Sequence, residues 1–438
     1  MRCVTFLESD CLVDNLDFPP RLDHAWLLIA RGIHLRLFRK ITPRRFAPSA
    51  IRTFSQTSSH SYRLSIDRRY SWTDGDLLNA YEVEIALVRG VLLGVFTSVS
   101  AINFEEVEVS VPPNFRLTEE VLASPIFTVT PSCRPEGSRP ARTCGPYALE
   151  SRSPDNRIMT FKRRPEHPAA GGGPERVGIV VTKSRDQGRR LLASGRLHLS
   201  CPLGADPGTF RRIWPLNPLT NELTNLGVFI VSRVHVPLIE NWNLMRVITC
   251  ALDRHKLAEL TAGTFVPMIN VSQLFDFTAP SIEKVTFSDD GRDQSRPEML
   301  VNGRRRRSAF PLWYVDFEPN GKIAADICAQ LDRFGIDCRP VRISYDDYLA
   351  SRLPKEDGLS LEIIQPALTE EYFRERWNVV EMRAPSARTS ECHGANFSGA
   401  KNFIIPLLQA RTSLMSGYKA YVGRRLADCE GLVDWNVL

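Results

Sequence analysis

"YSWTDGDLLNAYEV", Tyr70 to Val83, is the stretch on which the fold turns. Just before it, "SYRLSI" (Ser61 to Ile66) alternates polar with apolar side chains, the period of a strand buried on one face. "WTDGD" supplies a turn, with Gly75 at the position where the backbone is strained. Asn79 stands where a helix needs its N-cap, and Glu82, three residues on, completes a capping box. Strand, turn and capped helix follow one another with no catalytic side chain among them. The segment therefore reads as architecture, with Trp72 packed and Asp74–Gly75 reversing the chain.

The chain has 438 residues, too many for one simple core, so two or three lobes are expected. Lys and Arg number 56 against 50 Asp and Glu, a net charge of +6. That excess is spread along the chain and not gathered on one face, which argues against a nucleic-acid partner. The cysteines are scattered, no CxxC pair occurs and metal-ligand spacing is absent, so no metal and no cofactor is expected. Unpatterned thiols suit a reducing compartment. "MRCVTFLESDCLVDNLD" lacks a basic segment followed by an apolar one. "AWLLIARGIHLRLF" is broken by Arg31, His34 and Arg36, so no membrane-inserted helix is expected. These readings place the protein in the cytoplasm.

Working outward, Met1 to Leu7 reads as an opening strand and Leu22 to Lys40 as a helix, with Trp26, Ile29, Ile33 and Leu37 near helical spacing. Ser184 and Gln187 form a second capping box, for a helix closed by Gly195. Asn243 to Ala262 is expected as one helix ended by Gly263. Asp290 to Arg307, ending in "RRRR", reads as a solvated linker. "FPLWYVDF", a helix capped by Asn320 and stopped by Gly335, "IDCRPVRIS", the short helix "YDDYLASR" and "LSLEIIQ" together make an α/β unit with a mostly parallel sheet. "NFIIPLLQA" closes the series as a core strand. There is no GxSxG, no GxxxxGK[ST] and no GxGxxG, and the adjacent Cys392-His393 lacks an orienting third group.

Several stretches, in the same order, resemble the extracellular solute-binding proteins, family 5, which include the oligopeptide- and dipeptide-binding proteins of ABC importers. "YSWTDGDLLNAYEV" is similar to that family's Trp-Ser-Asp-Gly signature, with Thr73 in the Ser position. "NLDFPPRLDHAWLLIARGIHLRLFRK" resembles its amino-terminal loop and first helix. "TCGPYALESRSPDNRIMTFKRRPEH" resembles its "GTGPY" hairpin, and "RDQGRRLLASGRLHLS" the helix that follows. "NLMRVITCALDRHKLAELTAGTFVP" carries the family's Asp-Arg as Asp253-Arg254, and "GKIAADICAQLDRFGIDCRPVRISYDDYLA" the next helix and strand. The resemblance covers about four fifths of the chain. It implies an α/β, two-lobed periplasmic-binding-protein-like fold, type II and cluster C-like, with an extra scaffold subdomain and a ligand cleft between the lobes. It further implies a discontinuous first lobe from residues 1–25, 133–236 and 403–438, a scaffold subdomain at 26–132 and a second lobe at 237–402.

The chain departs from the family at the ligand site. Peptide binders carry an Asp that pairs with the free amine of the peptide; in "EDGLSLEIIQPALTEEYF" Pro366 falls at that place, with Glu370 or Glu371 as substitutes by a small shift. An isolated ammonium in a closed cleft needs a charge partner. Glu362 falls on a strand among apolar residues: facing the cleft it is desolvated and suited to acid–base work, facing outward it is a strand-end carboxylate. Gln365 either bonds a polar ligand or caps the strand. Trp214, Trp313 and Tyr314, with Trp377 after them, are ring walls for a ligand or simple core.

The expected function is a ligand binder that closes two lobes on a small, amphipathic molecule or modified peptide, with an ABC permease as partner only if the protein is exported. The alternative is an intracellular enzyme on the same scaffold, a cyclase or other shape-driven catalyst using Glu362. The sensory half of a regulator is a third possibility, with no helix-turn-helix segment to support it.

Overall fold

The computed structural model describes residues 4–9, 16–18, 24–42, 45–113, 115–131, 142–169, 172–182, 185–200, 217–218, 223–233, 238–261, 264–276, 309–316, 319–344, 347–348, 357–366, 368–381, 402–411, 415–416 and 435.

Strand β1 (Val4–Ser9) opens the fold and is followed by helix α1 (His24–Ile33). The helix is shorter than its apolar spacing predicts: the chain turns at His34 and continues as β2 (Phe38–Thr42). Ile29 and Ile33 pack with β1, whereas Leu37 and Phe38 belong to the next hydrophobic core. The periodic residues thus serve two cores, which a single helix could not reach.

The scaffold subdomain contains β2 paired to β3 (Arg45–Pro48), then β4 (Ile51–Gln56), β5 (Ser61–Ile66), α2 (Ala80–Leu92), β6 (Ser98–Ala101), β7 (Glu106–Ser110) and the short α3 (Glu119–Leu122). Four of its strands form an antiparallel sheet in the order β4-β5-β7-β6. Tyr62, Leu64 and Ile66 face inward as the alternation requires. Trp72 is 1% exposed, Gly75 holds φ +96°, and Asn79 and Glu82 form the expected reciprocal capping box on α2.

The chain then returns to β1. Strands β8 (Tyr147–Arg152), β9 (Ile158–Arg163) and β10 (Arg176–Val181) complete a sheet in the order β1-β10-β9-β8, with β1 and β10 parallel. Helix α4 (Arg185–Ala193) follows; Ser184, its expected cap, lies outside the described residues. Trp435, from the other end of the chain, packs into the core under this sheet.

A two-residue strand, β11 (Asn217–Pro218), precedes the largest sheet. Its elements are β12 (Leu223–Ser232), α5 (Leu238–Ala251), α6 (Arg254–Glu259), β13 (Phe265–Pro267), α7 (Gln273–Asp276), β14 (Phe310–Val315), α8 (Asn320–Asp332), β15 (Cys338–Ile343), β16 (Leu359–Ile364), α9 (Glu370–Arg376), β17 (Asn378–Val379) and β18 (Phe403–Arg411). A last short strand, β19 (Met415–Ser416), pairs with β11. The expected helix from Asn243 to Ala262 is two helices, because the Asp253 carboxylate accepts the N–H groups of His255 and Lys256 and starts a new one. Asn320 does not cap α8 but opens it, donating from its amide to the carbonyl of Val315.

The seven strands run β13-β18-β12-β16-β14-β15, with β17 beside β18. The expected parallel unit is present in β15-β14-β16, but β12 pairs antiparallel with both β16 and β18, so the sheet as a whole is mixed. Strands β12 and β18 are buried along nearly all their length, as central strands covered on both faces must be. The boundaries expected at 236/237 and 402/403 would divide these two strands from the sheet they hydrogen-bond to.

Candidate functional site

In the large sheet, pleating separates two sets of side chains. Leu312, Tyr314, Leu359 and Leu361 face the core beneath α5, α6 and α8. On the other face, neighbours in register are Trp313 with Ser360, and Phe229 with Glu362. Trp313 and Tyr314, adjacent on one strand, therefore cannot wall the same cleft. Tyr314 packs over Gly321 of α8. Trp313 is 2% exposed and its ring closes over Gly358, where an added Cβ would lie 2.7 Å from the indole. Trp214 lies outside the described residues.

Glu362 is on the face away from those helices and is buried. It is not an isolated acid. Arg233, just past the end of β12, donates from Nη2 to its Oε1 at 2.6 Å, and the Ser360 hydroxyl donates to the same oxygen at 2.7 Å. Arg233 Nε also donates to Ser360 Oγ at 3.0 Å. The charge of the carboxylate is thus balanced within the protein. Gln365 follows β16 directly at the carboxyl end of the parallel unit, and its Nε2 is buried without a hydrogen-bond acceptor. A buried amide donor of this kind calls for water or a ligand atom.

Glu370 begins α9, where its Oε1 accepts from Ser272 Oγ at 2.6 Å and from Arg374 Nε at 2.8 Å. Arg374 also grips Glu381 through both terminal nitrogens. Burial alone would lower the Arg374 guanidinium, but the bonds to Glu381 and Glu370 outweigh it and hold it above its usual range. Glu370 is committed to this network. The segment around it reaches across to the scaffold: Leu368 joins the scaffold core and the Tyr372 hydroxyl donates to the carbonyl of Leu93 at 2.9 Å.

A buried carboxylate in the first sheet has no counterpart in the sequence reading. Glu8 lies near the end of β1, beside the parallel β10, so the carboxyl ends of both strands meet there. Thr182 Oγ1 donates to Glu8 Oε1 at 2.7 Å, and the Ser200 hydroxyl donates to Oε2. Burial pushes the Glu8 carboxyl up, against the opposing pull of the Ser200 and Thr182 hydrogen bonds. Carboxyl ends of parallel strands are where open α/β sheets bind ligands. Glu8 and Arg233 could be found only once β10, Ser200 and β16 were placed beside them; a lone Glu in "VTFLES" carries no signal.

Among the described residues no cluster of three or more His, Cys, Asp or Glu is arranged to hold a metal ion, and no helix is long and apolar enough to cross a membrane.

No protein-family model and no curated protein matches this sequence. Solved structures do match. OppA of Burkholderia pseudomallei superposes with a TM-score of 0.71 at 14% identity, over 99% of this chain and 97% of that one. The murein tripeptide binding protein MppA of Escherichia coli gives 0.68 at 11% identity over 83% and 80%. The binding protein AgaA from A. tumefaciens R10, in complex with agropinic acid, gives 0.68 at 12% over 86% and 80%. At these identities the likeness is one of fold. The chain has the two-lobed, periplasmic-binding-protein-like α/β fold of the family 5 solute-binding proteins.

Proposed function

We propose that this chain is a solute-binding protein of the family 5 kind, closing two lobes on a small amphipathic molecule or modified peptide. The observation that carries the reading is the match of nearly the whole chain to binding proteins of that fold. In this reading the scaffold is 26–132, the second lobe 237–402 together with the strands β12 and β18 of its sheet, and the first lobe the remainder of 1–25, 133–236 and 403–438. Ligand contacts come from the carboxyl edge that holds Glu8, Thr182 and Ser200, and from Gln365 and the Arg233–Glu362 pair on the large sheet. Trp313 packs against Gly358, whose carbonyl accepts the N–H of Arg233.

Pro366 stands where a peptide amine would find its carboxylate, and Glu370 is already paired, so the ligand's amino end is blocked or absent. Closure follows from contacts made in the closed form alone. The proposed compartment is the cytoplasm, on the strength of the thiols: Cys144, Cys250, Cys328 and Cys338 are all free.

Native mass spectrometry of the purified protein identifies what occupies the cleft, and small-angle scattering with and without that molecule reads the closure. A fall in radius of gyration on binding is expected. A tight ligand that leaves the radius unchanged would overturn hinge closure, and one whose affinity depends on a free α-amine would overturn the proposed ligand class.

A further inference from the structure

Cys328 on α8 and Cys338, the first residue of β15, hold their sulfurs 3.3 Å apart as free thiols. The chain between them is short and firmly placed. Helix α8 ends at Asp332, Gly335 turns the chain with its N–H on the carbonyl of Asp332, and the N–H of Ile336 returns to the carbonyl of Leu331 at 3.1 Å. Leu331 and Ile336 are both buried in the core beneath the large sheet, which fixes the two cysteine backbones relative to each other. A disulfide requires an S–S length of about 2.05 Å. The sulfurs need to approach by only about 1 Å, within reach of side-chain rotation.

We propose that Cys328 and Cys338 are a reversible dithiol–disulfide site that clamps α8 to the edge strand β15. The two sulfurs have different roles. Cys338 is partly exposed and meets the oxidant, whereas Cys328 is 6% exposed and is reached only from Cys338. With a small disulfide such as glutathione disulfide as oxidant, the Cys338 thiolate attacks one sulfur, forming a mixed disulfide and releasing one glutathione thiolate. Cys328, as thiolate, then attacks the sulfur of Cys338 and displaces the second. The two protein S–H protons end on the two glutathione thiols, so one disulfide is reduced as one is made. The hydrogen bond with Cys338 holds the Cys328 thiol below its ordinary range. That same bond, burial and the neighbouring Asp337 push Cys338 up. The first exchange, from the raised Cys338 thiol, is therefore slow, and the second is helped by the short distance between the two sulfurs.

The test is equilibration of the native full-length protein with excess glutathione disulfide, acid quench, alkylation and peptide mapping. Expected in the wild type is a peptide pair joined through Cys328 and Cys338, with loss of both thiols from alkylation and little glutathione on Cys338. In Cys328→Ser, glutathione accumulates on Cys338; in Cys338→Ser, Cys328 stays free. Cys250, which is exposed, and Cys144, which is buried, report oxidant access and an intact fold in the same samples. If the wild type keeps both thiols while Cys250 is modified, or stops at a glutathione adduct on Cys338, the assignment is wrong. The wild-type result decides even if a variant fails to fold.

Discussion

Arg164 and Arg142 between them secure the turn at Trp72. Arg164 is buried, and its guanidinium donates to the carbonyls of Ser71, Trp72, Thr143 and Gly145. Arg142 lies 4.4 Å from the Trp72 ring and pairs with Asp74, Asp76 and Glu82. Arg164→Met takes one donor from each of those carbonyls, and a loss of about 3 kcal/mol is expected in urea denaturation followed by tryptophan fluorescence. On the large sheet, Arg233→Met takes the guanidinium from the buried Glu362 carboxylate and is expected to cost about 3 kcal/mol, the low end of the figure for breaking a buried ion pair. Arg233→Met combined with Glu362→Met is expected to recover most of that, which a double-mutant cycle measures. The turn itself was legible in "WTDGD" and its capping box. Its arginine partners were not, because they lie far along the chain and nothing local marks them.

Elements were legible where their own side chains decide them. The box on α2 is a local contract between Asn79 and Glu82, so Asn79→Ala is expected to cost about 1 kcal/mol, while Asn79→Gly costs a few tenths, in chemical denaturation. Boundaries failed where a distant surface decides. Leu37 keeps helical spacing with Ile33 yet packs in another core, at the bend just ahead of the strand that pairs with β3. Likewise Glu362 was found as a candidate, but its pairing depends on Arg233, which follows β12 and lies more than a hundred residues away. Trp313 and Tyr314 both read in the sequence as ring wall or core; a strand puts neighbours on opposite faces, so only one of them is available to a cleft.

For the molecule as a whole, the joint between the first sheet and the scaffold contains two buried imidazoles. His34 gives a ring nitrogen to the carbonyl of Leu16, and His167 does so to the carbonyl of Cys144. Burial pulls each down to about 4 from an ordinary 6.5. Both are neutral in the fold and take up protons near pH 6.5 when it opens, so their contribution is complete above that pH and declines as pH falls toward 4. The loss approaches ~3 kcal/mol per histidine. Melting temperature measured against pH is expected to fall steeply in this window, and His34→Gln or His167→Gln to flatten it. The scaffold, the first sheet and the large sheet each have a separate hydrophobic core. Unfolding monitored by circular dichroism and by fluorescence is accordingly expected to give transitions that do not coincide. The collinear order of family-like stretches made the fold legible; the pairing of β12 and β18 with β16 and β13 was not, because pairing is a property of space.

The rim of the large sheet formed by β15 has one more effect. Its residues Arg339 and Pro340 are turned to solvent, and Pro340 has no N–H to offer. An approaching β-strand from another molecule would meet a missing donor and a desolvated guanidinium where it needs a continuous ladder. At this rim the sheet therefore resists growing into a ribbon with a second molecule, a safeguard written in two neighbouring residues.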